Sequence, residues 1–215
     1  CPTPLLDESL YPNNNRDLVD SKHLLAWCAL GVMPFMILLL ITFMVLPKET
    51  TDRHYLTTIP ILAIIIINLA WLMTFSSSQK YCQDPITPGD ISSDSFCGPS
   101  MSLLLLGCFI LLISCFFRSV ALHIFVCWEV KPGRLFRIIS LTVIFVGSVA
   151  FVAIALTMTG LAYEYGKICY LLPNHDRETL WVPVLAISVS ALFLQLITMT
   201  YCSYIVVKSL LQDRN

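Results

Sequence analysis

The chain has 215 residues, 57% of them hydrophobic and only 13% charged, where a soluble domain carries about 25% charged residues. Mean hydropathy is +0.78 and the formal net charge is -1. This excess of apolar surface excludes an ordinary water-soluble domain, and the scattered basic residues exclude a nucleic-acid binder, which needs them clustered.

In chain order, residues 1–23 (CPTPLLDESLYPNNNRDLVDSKH) are polar and rich in proline and asparagine. They are expected to form an extracellular linker. The chain opens on Cys1 without a signal peptide, so it reads as an excerpt of a longer precursor. No Asn-x-Ser/Thr sequon occurs.

Five apolar segments follow, at about 24–46, 55–76, 101–127, 138–158 and 181–207. Each reaches the ~20 residues that a helix needs to cross the hydrocarbon. None alternates in polarity as a barrel strand would. Pro34 and Pro60 fall inside the first two segments and are tolerable in membrane helices. Trp27, Trp71, Trp128 and Trp181 fall near segment ends, as an interfacial aromatic belt requires. The expected fold is therefore an all-α integral membrane protein. Its transmembrane domain, residues 24–215, is a bundle of five helices.

The loops set the orientation. Residues 1–23, 77–100 and 159–180 hold five basic and ten acidic side chains. The shorter segments 47–54, 128–137 and 208–215 hold seven basic and four acidic ones. The positive-inside rule makes the second set cytoplasmic and puts the N-terminus outside. The cysteines agree, because Cys1, Cys82, Cys97 and Cys169 all lie on the first side, where disulfides persist. Four cysteines allow three pairings. The other five read as small packing residues, with Cys127, at the inner boundary, also a candidate for palmitoylation.

No catalytic constellation occurs, and an enzyme is not expected. His23, His54, His123 and His175 are scattered without metal-ligand spacing, so neither metal nor cofactor is expected. No carboxylate falls within a span, against a proton-coupled transporter. The polar residues within spans are Asn68, Arg118, His123 and Gln195. An arginine near the bilayer centre costs roughly 2.5–3.5 kcal/mol. Arg118 stands ten residues before Trp128, about 15 Å at helical rise. It is read either as a polar contact acting as a switch or as a snorkelling depth anchor. His123 reads as a boundary residue, with a switch as the alternative, and Asn68 and Gln195 as interhelical hydrogen-bond glue. Lys131, Arg134 and Arg137 are the candidate face for a cytoplasmic partner, with plain topology-setting charge as the alternative.

The stretch FFRSVALHIFVCWEVKPGRLF, and after the fourth span ALTMTGLAYEYGKICYL, resembles the fungal branch of the Frizzled/Smoothened-like seven-transmembrane receptors. The likeness is carried by Arg118, His123, Cys127 and Trp128, by the turn Pro132-Gly133-Arg134, and by Thr159, Gly160, Tyr163 and Cys169. The opening CPTP is similar to the cysteine-bearing linker ahead of the family's first helix. Five of the family's seven spans are found, so the resemblance implies a linker and helices one to five. It also implies a disulfide from Cys97 to Cys169, leaving Cys1 for Cys82, with Cys82–Cys97 as the competing local pairing. It further implies a G-protein-coupled-receptor-type signalling protein of the plasma membrane. Its partners would be membrane lipid, an extracellular ligand, and a heterotrimeric G protein or another cytoplasmic effector. The competing class is a five-span transporter or structural membrane protein without a signalling role. An inverted internal repeat would favour transport, and no similarity between spans is seen.

Overall fold

A computed structural model describes the backbone of residues 12–45, 55–73, 97–164, 168–171 and 177–213. Among the described residues, five helices are long and apolar enough to cross a membrane. They are α1 (Pro12–Val45), α2 (Tyr55–Met73), α3 (Cys97–Trp128), α4 (Arg134–Thr159) and α5 (Val182–Asp213). A π turn, Arg177–Trp181, leads into α5. A second π turn, Val143–Gly147, sits inside α4 between α-helical stretches. The expected five-helix membrane bundle is thus present.

The spanning windows run Leu24–Val45, Tyr55–Met73, Cys97–Trp128, Arg134–Thr159 and Arg177–Gln212. Helix α1 is longer than its window, because it is already helical from Pro12. The second half of the segment expected as a linker is therefore helical backbone. Proline is tolerated at a first helical position, where its missing N–H has no partner to lose, and residues 16–23 contain no glycine or proline to break the helix.

Helix α3 is the hub. It packs against α2, α4, α5 and both strands, whereas α1 packs on α2. Water provides no driving force between helices in lipid, so close approach and dispersion carry the packing. The helices α2 and α3 approach closely at Gly107. A Cβ there would lie 2.6 Å from Ile67 Cγ1, 3.1 Å from the Ala63 carbonyl oxygen and 3.2 Å from the Ile67 nitrogen. Two apolar layers surround α3. One joins Met101, Leu105 and Phe109 to Val152 and Ala155, with Phe109 stacked on Phe151 at 5.1 Å. The other joins Ile110 and Ile113 to Leu56, Ile59, Ala63 and Ile144.

A short antiparallel hairpin, β1 (Leu161–Glu164) and β2 (Ile168–Leu171), adds to the expected helical fold. Gly160 ends α4 at φ 71°, a conformation open to glycine because it has no Cβ. The chain then turns back, pairing Leu161 with Leu171. Both leucines are buried in the same cluster as Cys97 and Met101, so the hairpin covers the head of α3. At the other end α3 stops at Trp128, and Glu129 takes a left-handed φ of 54°. Residues 130–133 then lead straight into α4. The bundle therefore has a hairpin end and a basic-turn end.

Candidate functional site

Helices α3 and α5 run parallel, and their contact is polar. Ser119 and His123 are one helical turn apart on α3, so they share a face. Gln195 and Thr198 face them from α5. Gln195 Nε2 donates to Ser119 Oγ at 3.1 Å, and Ser119 Oγ donates to the Cys115 carbonyl at 3.0 Å. One turn on, His123 Nδ1 lies 2.9 Å from Thr198 Oγ1 and 3.6 Å from Cys127 Sγ. Thr198 Oγ1 is also 2.8 Å from the Leu194 carbonyl. A hydroxyl has one proton. Donated to Leu194, it leaves Oγ1 to accept from an Nδ1–H imidazole, which satisfies all three groups.

This seam is the main tie of α5 to the bundle. Thr198, 3% exposed, is the one buried residue described on α5. Ser119 is equally buried on α3. Beside the seam, Cys108, Cys115, Arg118, Leu122 and Phe125 form an exposed stripe along α3. Arg118 has no hydrogen-bond or ion-pair partner among the described residues.

The four polar residues expected within spans thus divide. His123 and Gln195 meet α5 and α3 across the seam, as interhelical bonds. Asn68 is buried on α2, and its described bond is to the Ile64 carbonyl of its own helix at 2.8 Å. Arg118 stands apart on the exposed stripe. Ser119 and Thr198 escaped the sequence reading, because hydroxyls in membrane helices usually bond their own backbone. The signal available was spacing: Ser119, His123 and Cys127 recur every four residues.

At the hairpin end, Cys97 is wholly buried and disulfide-bonded. Cys1 and Cys82 lie outside the described residues, and of Cys169 only the backbone, on β2, is described. Cys28, Cys108, Cys115, Cys127 and Cys202 are free thiols.

At the basic-turn end the three expected partner residues behave differently. Lys131 and Arg134 are exposed, with no hydrogen-bond or ion-pair partner among the described residues. Arg137, also exposed, carries its guanidinium over the Tyr55 ring at 5.5 Å. Tyr55 Oη lies 2.6 Å from Ser140 Oγ, and Ser140 Oγ donates to the Arg137 carbonyl at 3.1 Å. This joint fastens the start of α2 to the start of α4, and the sequence reading did not find it. Among the described residues no group of three or more histidine, cysteine or acidic side chains converges to hold a metal ion.

The site is a hub helix with a disulfide-bonded head, a polar seam along one side and a basic turn at its foot. No protein-family model matches the chain. Over 188 residues, 86% of this chain, it is 34% identical to a protein of Aspergillus fumigatus named G protein-coupled receptor gprM. The aligned stretch covers 38% of that relative's length. A relative named as a receptor is compatible with a non-enzymatic role. With five spanning helices, the similarity supports a multi-pass integral membrane protein of the G-protein-coupled-receptor type.

Proposed function

We propose that these residues form the linker and first five helices of a Frizzled-like, G-protein-coupled-receptor-type signalling protein of the plasma membrane. It would bind a ligand outside and alter a cytoplasmic surface that includes Lys131, Arg134 and Arg137. A heterotrimeric G protein, or another effector, would read that surface. The observation that carries this reading is the 34% identity to a named receptor across 86% of the chain. The geometry supports it, because α3 links the hairpin end to the basic turn and holds α5 through two hydrogen bonds.

In this reading the hairpin end is extracellular and Cys97 pairs with Cys169. Cys97 is disulfide-bonded, and Cys169 lies on β2, whose Leu171 shares a buried cluster with Cys97. Cys1 would then pair with Cys82. Arg118 would act as a switch contact on the exposed stripe.

The test is a chimera joining this chain to the remainder of the Aspergillus relative beyond the aligned stretch. Both chimera and chain alone are expressed with a resonance-energy-transfer reporter of G-protein dissociation. The chimera is expected to change the basal reporter signal, while the chain alone inserts without doing so. Arg118→Leu in the chimera is expected to change coupling more than surface expression. Unchanged coupling at normal expression would make Arg118 a depth anchor. A fully active isolated chain, or a silent chimera at normal surface expression, would favour the five-span alternative without signalling.

A further inference from the structure

The basic turn carries two cations that nothing among the described residues engages. Arg137 is committed to the Tyr55 ring, but Lys131 and Arg134 are exposed without a described hydrogen-bond or ion-pair partner. Their surroundings are not those of a water-facing loop. Trp128 is 72% exposed, Val130 54%, Leu135 72% and Ile138 53%. Arg134 and Ile138 are four residues apart on α4 and so lie one above the other on one face. The charge sits at the end of a spanning helix, and the isoleucine lies one turn further into the hydrocarbon. Trp128 closes α3 at the same level, where an aromatic ring marks the headgroup boundary.

We propose that Lys131 and Arg134 bind the anionic headgroup of a phospholipid in the adjoining leaflet, with its acyl chains along Leu135 and Ile138. The guanidinium pairs two phosphate oxygens through parallel N–H donors. The lysine adds a point charge. A soluble acidic partner would satisfy the two cations but would leave Leu135 and Ile138 unmatched, whereas a lipid matches both halves of the patch. The proposal rests on membrane insertion alone and holds with or without an effector.

The test uses the full chain in nanodiscs of phosphatidylcholine doped with spin-labelled phosphatidylserine or spin-labelled phosphatidylcholine. Electron paramagnetic resonance then reports how far each label is enriched at the protein surface. The expected result is selective enrichment of phosphatidylserine that fades as salt is raised. Lys131→Gln and Arg134→Gln are each expected to lower it about fivefold, the order of effect of one basic residue at an anionic surface. Arg137→Gln and Lys208→Gln, the latter an exposed lysine on α5, should leave it near the starting value. Inorganic phosphate should displace the lipid no better than chloride at equal ionic strength. Equal enrichment of the two labels in the unaltered chain would overturn the proposal, even if the variants failed to insert. So would an equal loss from Lys208→Gln, which would reduce the effect to general charge. In either case the two cations would be left to a soluble partner or to topology.

Discussion

A threonine inside a membrane helix normally donates its hydroxyl proton to the carbonyl one turn back. Thr157, Thr200 and Ser190 do so on exposed faces. Thr198 does so too, but its oxygen also meets His123 Nδ1 from the neighbouring helix. Interhelical polar contacts of this kind are worth about 0.6 kcal/mol on average and about 1.7 kcal/mol at most. Thr198→Val keeps the shape and removes the acceptor, and His123→Leu removes the donor. Thermal unfolding of both single variants and the double variant in detergent micelles is expected to show a coupling energy of about 0.5–1.5 kcal/mol. Additive effects would mean that the 2.9 Å contact carries no stability of its own. The matched control is Thr200→Val, whose hydroxyl bonds only the Leu196 carbonyl among the described residues and whose loss should not couple to His123.

At the scale of elements, the α2–α3 pair depends on the absence of one side chain. Any Cβ at position 107 meets the flexible Ile67 side chain and also two backbone atoms that cannot swing away. Gly107→Ala is therefore expected to destabilise the bundle by about 1–3 kcal/mol, the range for overpacking. Thermal unfolding in micelles measures the loss. Pairing it with Ile67→Ala should recover only part, since the Ala63 carbonyl still stands 3.1 Å away. Full recovery would show that the side chain alone sets the helix separation. The same contrast separates what the sequence reveals from what it hides. All five spans were legible because an unbroken run of about twenty apolar residues rarely occurs outside a membrane helix. The start of α1 at Pro12 was not, because polar residues ahead of a span are compatible with either helix or loop. The hairpin was not, because two strands of four residues are too short to show a period. Which helix faces which was also hidden: a hydrophobic stripe toward lipid and one toward a neighbour look alike. Hence Ser119 and Thr198, and the joint of Tyr55, Ser140 and Arg137, emerged only from the structure.

For the whole molecule the open choice is which end faces out. The five helices fix that the N-terminal end of α1, the head of α3 and the hairpin share one side, because successive spans alternate direction. They fix nothing about which side that is. Five basic residues lie in the loops of the hairpin side and seven in the shorter loops of the basic-turn side, and from such a bias the latter is expected in the cytoplasm. Two measurements follow on intact cells. In a background stripped of its free thiols, single cysteines placed near Asp90 should react with a membrane-impermeant maleimide, and cysteines near Lys131 should react only after permeabilisation. Non-reducing peptide mapping should then join Cys97 to Cys169 and Cys1 to Cys82. The serious competitor is Cys82 with Cys97, which closes a short loop and is geometrically open if their Cα atoms come within about 7 Å. Finding that bond would detach the hairpin from α3 covalently. The hairpin would then be held there by noncovalent packing, including that of Leu161 and Leu171 with Cys97 and Met101. Labelling near Lys131 from outside would reverse the membrane orientation altogether. The basic turn would then face away from any G protein, and the lipid proposed there would have to belong to the outer leaflet.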